Sequence, residues 1–331
     1  MKARLFPLIT GLVLVVGACS GGASTAPGAG ASTGAGASTG TGAQAYIPVI
    51  SKGFQHQFWQ AVKLGSEKAA AQFAVRITFE GPENETQVDK QIEMLQAALD
   101  KKPQAICFAA LDSKAAIPIL QKAKDAGIPI VGFDSGVDSD IPVTTAATDN
   151  IAAAAEAAKR MAGLIGDAGE VAIIAHDQTS RTGIDRVKGF TDEMTKNHPN
   201  IKIVDTQYGG GDQLKSTDLA KAILQAHPNL KGFFGANEGS IIGVLNGAKE
   251  LNKTGVTIIG YDSGKQQLDA IRSGVEAGAI TQDPIGIGFK CVEAAVKAIK
   301  GETVPKTIDT GFHWFDKTNI DDPAIASLLY K

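Results

Sequence analysis

Nine residues of this chain recur 128 positions later. Ile128-Pro-Ile-Val-Gly-Phe-Asp134-Ser135-Gly136 is echoed by Val256-Thr-Ile-Ile-Gly-Tyr-Asp262-Ser263-Gly264. Each copy is an apolar run without polar alternation, closed by aromatic-Asp-Ser-Gly. Such a run suits a strand covered on both faces, as in parallel sheets. In open α/β sheets, ligands bind beyond the carboxyl ends of the strands. Either copy alone reads equally well as turn chemistry. Two copies in equivalent places predict two α/β domains, each holding out an aspartate at the end of a buried strand.

The residues around the repeat fit that frame. Strands are expected over 47–51, 75–79, 105–109 and 128–133, separated by helices over 58–73, 88–99 and 115–126. Val88, Ile92, Leu95 and Leu99 fall at spacings of four, three and four, which is one helix face. The alternation restarts with helices over 151–165, 186–196, 214–225 and 241–251 and strands over 171–175, 201–206, 230–234 and 256–261. A strand at 279–282 follows, and Asp283 then caps a helix with Pro284 at its first position. Two runs of this kind predict an α/β protein of two doubly wound parallel-sheet domains. The first run lacks its last strand-to-helix unit, so the chain is expected to cross between domains more than once. A length of 331 residues suits two domains.

The N-terminus points outside the cytoplasm. Lys2 and Arg4 precede a short apolar run from Leu5 to Val16, the pattern of an export signal over residues 1–18. Val16-Gly17-Ala18-Cys19 resembles a bacterial lipobox, which makes Cys19 the expected lipidation site; the alternative is an ordinary secretory signal with a chance cysteine. Residues 20–43 are only Gly, Ala, Ser, Thr and one Pro, with the hexamer at 28–33 repeated at 34–39. Such a stretch has nothing to bury, and the segment 19–45 is expected to act as a flexible tether reaching roughly 25–30 Å. After the N-terminus no apolar run is long enough for a membrane span.

From Tyr46 to about Lys317 the chain resembles the periplasmic sugar-binding proteins of ABC importers, the ribose-binding-like group. The resemblance is carried by Ile47-Pro-Val-Ile-Ser-Lys52-Gly-Phe-Gln-His56-Gln-Phe58-Trp59, Gly132-Phe-Asp134-Ser135, Thr148-Asp149-Asn150, Gly183-Ile-Asp-Arg186-Val-Lys-Gly189-Phe190, Gly235-Ala-Asn237-Glu238, Gly260-Tyr-Asp262 and Thr281-Gln282. It implies a type I fold of two lobes, 46–148 plus 283–309 and 149–282 plus 310–331. The lobes would be joined by three crossovers near Thr148, Gln282 and Asp309 and would close on ligand by hinge motion. It also implies a monomeric, extracytoplasmic protein with a monosaccharide ligand and ABC permease and ATPase partners, held to the membrane only by its lipid.

The residue types suit a sugar. Carboxylates of Asp134 and Asp262 can accept from neighbouring hydroxyls, and Arg186 donates through a planar fork. Asn237 and Gln282 carry donor and acceptor on one amide. Phe58, Trp59 and Phe133 offer faces for C–H groups. Lys52, His56, Ser135 and Thr148 complete the expected ligand-binding set, and His176-Asp177-Gln178 at a strand end is a further candidate. Three alternatives stand beside these roles. Phe58 and Trp59 are core, Arg186 pairs with Asp185 on a helix surface, and Asn237 merely caps the next helix. Ribose-type binders have an arginine where this chain has Ser135 and an asparagine where it has Ala109-Ala110. Those departures count against ribose and favour an aldohexose such as glucose. Lys52 and the aromatic seven residues on also resemble relatives that bind a furanosyl autoinducer or rhamnose.

Other classes find no support. A net charge of −3 gives no basic field for nucleic acid. Gly260–Lys265 and Gly209-Gly210-Gly211 lack the spacing of phosphate loops and dinucleotide fingerprints. The five histidines show no metal-ligand spacing, so neither metal nor cofactor is expected. A sugar-modifying enzyme would need the cleft carboxylates as acid and base; a binding protein, with no catalytic residue, is the favoured reading, with a signalling receptor as its alternative. Cys107 in a strand and Cys291 on a helix read as free buried thiols, with a disulfide left open.

Overall fold

The computed structural model describes residues 44–330. The expected signal at 1–18, Cys19 and the tether up to residue 43 lie outside them.

The alternation is built twice. β1 (Tyr46–Ile50) leads to α1 (Gln57–Phe73), β2 (Arg76–Glu80) to α2 (Val88–Asp100), and β3 (Ile106–Phe108) to α3 (Ile117–Asp125), before β4 (Ile130–Phe133) and β5 (Thr144–Ala147). The second run is α4 (Asn150–Ile165), β6 (Gly169–Ala175), α5 (Arg181–Asn197), β7 (Ile201–Tyr208), α6 (Gln213–Ala226), β8 (Leu230–Gly235), α7 (Glu238–Glu250), β9 (Thr257–Tyr261), α8 (Lys265–Ser273) and β10 (Gly278–Gln282). The chain ends with α9 (Pro284–Ile299), β11 (Thr307–Asp309), β12 (Phe312–Phe315) and α10 (Pro323–Ala326).

The strands form two six-stranded sheets, in the orders β11-β5-β4-β3-β1-β2 and β12-β10-β9-β8-β6-β7. Apart from its outer strand, each sheet has the same order, with the third strand of its run beside the first. That arrangement puts a topological switch point between β1 and β3, and again between β6 and β8. All pairings are parallel except that of β12, which runs antiparallel to β10. The parallel-sheet reading therefore holds for everything but one edge.

Both sheets are covered on both faces, which is why their strands read as unbroken apolar runs. Successive strand residues point to opposite faces. Ile47, Val49, Val131 and Phe133 join α1 and α9 in one core, while Ile50, Ile106 and Ile130 join α2 and α3 in another. Ile92, Leu95 and Leu99 pack there as their spacing predicts; Val88 does not join them. The second sheet is sandwiched the same way, between α4 and α5 on one face and α6 and α7 on the other. α1 and α9 approach backbone to backbone. A methyl group at Gly65 would overlap the Ile285 carbonyl oxygen, and one at Gly288 the Val62 carbonyl oxygen.

The chain passes between sheets three times. β5 belongs to the first sheet and α4 packs on the second; β10 belongs to the second and α9 packs on the first; β11 and β12 are edges of different sheets. Thr148 Oγ1 donates to the Gly311 carbonyl at 3.2 Å, so the first and third passages are hydrogen-bonded to each other.

The cysteine expectation is corrected. Cys107 on β3 and Cys291 on α9 form a disulfide, with Cα atoms 6.3 Å apart and 184 residues between them in sequence. Apolar burial, the basis for reading free thiols, is real, for both are fully buried. The fold brings the two strangers in sequence together inside one core. No described helix is long and apolar enough to cross a membrane.

Candidate ligand-binding site

The carboxyl ends of both sheets open onto one small cavity with about 260 Å³ of empty space. Lys52, His56, Phe58 and Trp59 come from the β1–α1 segment, Glu85 from the loop after β2, and Asp134 from the end of β4. Facing them are His176 after β6, Thr182 and Arg186 on α5, Asn237 after β8, Asp262 after β9 and Gln282 at the end of β10. A larger groove, with about 1310 Å³ of empty space, lies between α7 and α8, lined by Lys249, Asn252, Val256 and Val275 among others, away from the sheet ends.

The repeated aspartates hold the same unusual backbone. Asp134 has φ 55° and Asp262 φ 81°, both in the left-handed region that non-glycine residues rarely occupy. Such strain is held by surrounding structure and concentrates at functional sites. Asp262 is fully engaged: Gln282 Nε2 donates to Oδ1 at 2.8 Å and the Glu238 N–H to Oδ2 at 2.9 Å. Asp134 is 5% exposed, and no described residue donates a hydrogen bond to its carboxylate. Burial pushes its pKa up to about 6, against the pull of Lys52 and Arg186.

The cationic side is held from behind. Arg186 Nε donates to Asn150 Oδ1 at 2.8 Å and Nη1 to the Ala236 carbonyl at 2.9 Å, while its guanidinium lies 3.7 Å from the centre of the Tyr261 ring. A guanidinium so fixed loses little freedom when it meets a ligand. Asp185 pairs with Arg181 instead, so the surface-pair reading of Arg186 is corrected. Lys52 Nζ donates to Thr182 Oγ1 at 3.0 Å and lies 3.8 Å from Glu85. Glu85 accepts from Trp59 Nε1 at 2.7 Å. Burial alone would raise its pKa, but Lys52, His56 and the Trp59 bond outweigh it and hold the carboxyl below its usual range. Burial first, then Lys52 and Arg186, depress His176 to about 3, so its imidazole is neutral, with Nε2 2.9 Å from Thr182 Oγ1.

Several buried wall atoms have no partner in the protein: His56 Nδ1, His176 Nδ1 and Gln282 Oε1. Buried polar groups are normally paired.

Of the expected residues, Lys52, His56, Phe58, Trp59, Asp134, Arg186, Asn237, Asp262 and Gln282 line the cavity together. Ser135 and Thr148 do not. Ser135 is wholly buried next to Asp134 and is not part of the wall, and Thr148 serves the crossing described above. Asn237 fills both of its readings, since its Oδ1 also accepts from the Ser240 N–H at 3.0 Å and caps α7. Phe58 and Trp59 likewise belong to the first core as well as the wall. Phe133 is core only, edge-on to Trp59. Gln178 and Asp177 stay off the wall while His176 joins it. Glu85 and Thr182 were missed by the sequence reading. Glu85 lies in the polar run Glu83-Asn-Glu-Thr-Gln87, where nothing marks one acid from the next, and Thr182 had only its place at a helix start to recommend it.

Comparison with known proteins places this geometry. A model of the periplasmic binding protein domain matches residues 47–303. The D-allose-binding periplasmic protein of Escherichia coli is 29% identical over 267 residues, covering 78% of this chain and 86% of its own length. Two solved ABC transporter solute-binding proteins from Agrobacterium vitis superpose on it. One, bound with α-D-tagatopyranose, has 32% identity and a TM-score of 0.83 over 87% of this chain and 100% of its own. The other, bound with D-fucose, has 34% identity and a TM-score of 0.84 over 86% of this chain and 100% of its own. These relatives are named as binding proteins, not enzymes. With two like sheets, three crossings and one cleft between their carboxyl ends, the chain belongs to the periplasmic binding protein family, in its type I two-lobed form.

Proposed function

We propose that this protein captures one monosaccharide in the cleft and delivers it to an ABC importer. The observation that carries the reading is the cavity wall: a carboxylate without a partner at Asp134, facing a fixed guanidinium at Arg186 and unpaired atoms of His56, His176 and Gln282. A ring of hydroxyls, each both donor and acceptor, completes such a set, and a charged ligand is not needed to do so. Phe58 and Trp59 supply apolar surface for the C–H faces. Charge-assisted bonds of roughly 1.5–3 kcal/mol each support micromolar or tighter binding after ordering costs.

Among sugars, an aldohexose comes first. The departures from the ribose pattern at Ser135 and Ala109-Ala110 favour a differently shaped cleft, and D-allose, the sugar named for one relative, is an aldohexose. Glucose is the other aldohexose to try. Cys19 is proposed as the lipid anchor, with the segment to residue 45 as tether, so that a monomer held at the outer face of the cytoplasmic membrane presents sugar to its permease.

A thermal-shift screen over D-allose, D-glucose, D-ribose, D-tagatose and D-fucose tests the reading. A true ligand at 100 times its dissociation constant adds about 2.7 kcal/mol of stability. No shift from any of them sinks the monosaccharide assignment. Sugar recovered chemically unchanged after long incubation separates binding from catalysis.

A further inference from the structure

Two helices that begin at the cleft have no cap of their own. α4, α5, α6, α7 and α9 are each capped by the side chain of the residue before them, Asp149, Ser180, Asp212, Asn237 and Asp283. His56 precedes α1 and Gly264 precedes α8, and neither supplies a side-chain bond. The first N–H groups of a helix need acceptors from somewhere.

They find them across the cleft. The Gln57 N–H donates to Glu238 Oε1 at 3.0 Å and the Phe58 N–H to Glu238 Oε2 at 3.1 Å. Glu238 is the first residue of α7, on the second sheet, whereas α1 covers the first. In return, the Lys265 N–H at the start of α8 donates to Gln57 Oε1 at 2.7 Å. The two acceptors converge at Gly264, where an added Cβ would lie 3.0 Å from Glu238 Oε1 and 3.1 Å from Gln57 Oε1. Glu238 is 3% exposed yet does not line the cavity. Its own N–H is one of the two donors on Asp262.

We infer that Glu238 and Gln57 form a reciprocal latch, each capping a helix of the opposite lobe and so holding the lobes closed. The inference rests on the reading that the cleft closes over a ligand. A carboxylate at a helix N-terminus gains from both hydrogen bonds and the helix dipole. When the lobes part, α1 and α8 lose these acceptors to water, so the latch acts on closure and not on the folding of either lobe. Glu238 is thus a positioning residue: it ties Asp262 at the ligand to the turn that carries Phe58 and Trp59.

The test uses the whole chain as wild type, Glu238→Ala, Glu238→Gln and Gln57→Ala. Each is titrated with D-allose, D-glucose, D-tagatose and D-fucose, and amide hydrogen exchange is followed at residues 57, 58 and 265. Glu238→Ala is expected to weaken every sugar the wild type binds by about tenfold, mostly through faster dissociation, as for loss of a cap. It should speed exchange at Gln57 and Phe58 while sparing Lys265, and leave sugar-free melting little changed. Glu238→Gln, which keeps an acceptor, should recover part of the loss. Gln57→Ala should speed exchange at Lys265 alone and weaken binding about threefold. Normal sugar binding in Glu238→Ala with unchanged dissociation overturns the latch and leaves the sugar reading standing. So does a large fall in its sugar-free melting temperature, which would make Glu238 a folding residue. If the wild type binds none of the four sugars, the monosaccharide reading falls, and the latch is then judged with the lobes held together by an engineered interlobe disulfide, where equal exchange at Gln57 and Phe58 with and without Glu238→Ala overturns it.

Discussion

Asp134 and Asp262 end the same strand of the same repeat, with the same left-handed backbone and nearly the same burial, 5% and 4% exposed. Their surroundings differ. Asp262 has a donor on each oxygen, from Gln282 and from the backbone of Glu238, and so organises the second lobe's half of the wall. Asp134 has none among the described residues and stands against Lys52 and Arg186 with its pKa raised by burial. A duplicated backbone decides where a carboxylate stands. The partners around it decide whether it holds the protein together or waits for a ligand. The lobes differ in a second way, for only the first contains a disulfide among the described residues.

That asymmetry can be broken at four points. The largest effect is expected from the first lobe's disulfide. Removing it as Cys107→Ala with Cys291→Ala should cost about 2–5 kcal/mol, because it closes a loop of 184 residues. Melting with and without reductant reads this, and a reductant-insensitive wild type would mean the pair does not form in solution.

Next comes the free aspartate. Asp134→Ala should weaken sugar binding by about 2–4 kcal/mol, thirty- to a thousandfold, as for a buried charged acceptor. Sugar-free stability should hold or rise, since an unpartnered buried carboxylate is removed. Titration calorimetry beside melting decides it; near-normal affinity would transfer the ligand's main acceptor elsewhere.

Asp262→Ala should reverse the pattern. It strands the Gln282 amide and the Glu238 N–H, so sugar-free stability should fall by about 2 kcal/mol. Equal melting of the Asp134 and Asp262 variants would erase the distinction between the two copies.

The smallest effect is that of pH. Asp134 is raised to about 6 in the closed cleft, so its contribution to the stability of the closed form without sugar is full below the ordinary carboxylate pKa near 4 and is lost as pH rises through 6. Binding has the opposite sign, because hydroxyls donate to the ionised form. Affinity should drop about tenfold from pH 8 to pH 5, with proton release on binding in that window. Flat affinity across it would show that the carboxylate is already ionised or is not used.

Much of this was legible because it rests on local pattern. The covered strands, the helix faces and the cap at Asp283-Pro284 are written in adjacent residues, and residues at strand ends converge once the sheets form. Three short strands were not legible: β5, β11 and β12 have three or four residues each and, unlike the equally short β3 and β4, no buried apolar run to betray them. Nor were side-chain directions in turns. Ser135 stays off the cavity wall although Asp134 lines it, and Glu85 reaches the wall only through the path of a polar loop. The pairing of Cys107 with Cys291 depends on contacts between segments 184 residues apart, which no neighbouring residue encodes.

The three passages of the chain have a consequence in time. A chain made from its N-terminus produces β1 to β5 first, but the helix that covers their α1 face and the strand that closes their edge come after the entire second lobe. Cys107 waits for Cys291 over the same interval. The second lobe, in turn, lacks its edge strand β12 until residues 312–315 appear. Neither lobe can therefore finish before the other has begun, and the usual order of domain by domain is closed to this molecule. Such long-range pairings form slowly. A nascent chain stopped between about residues 283 and 306 holds two sheets that each lack their last strand, and folding of the whole is one late event.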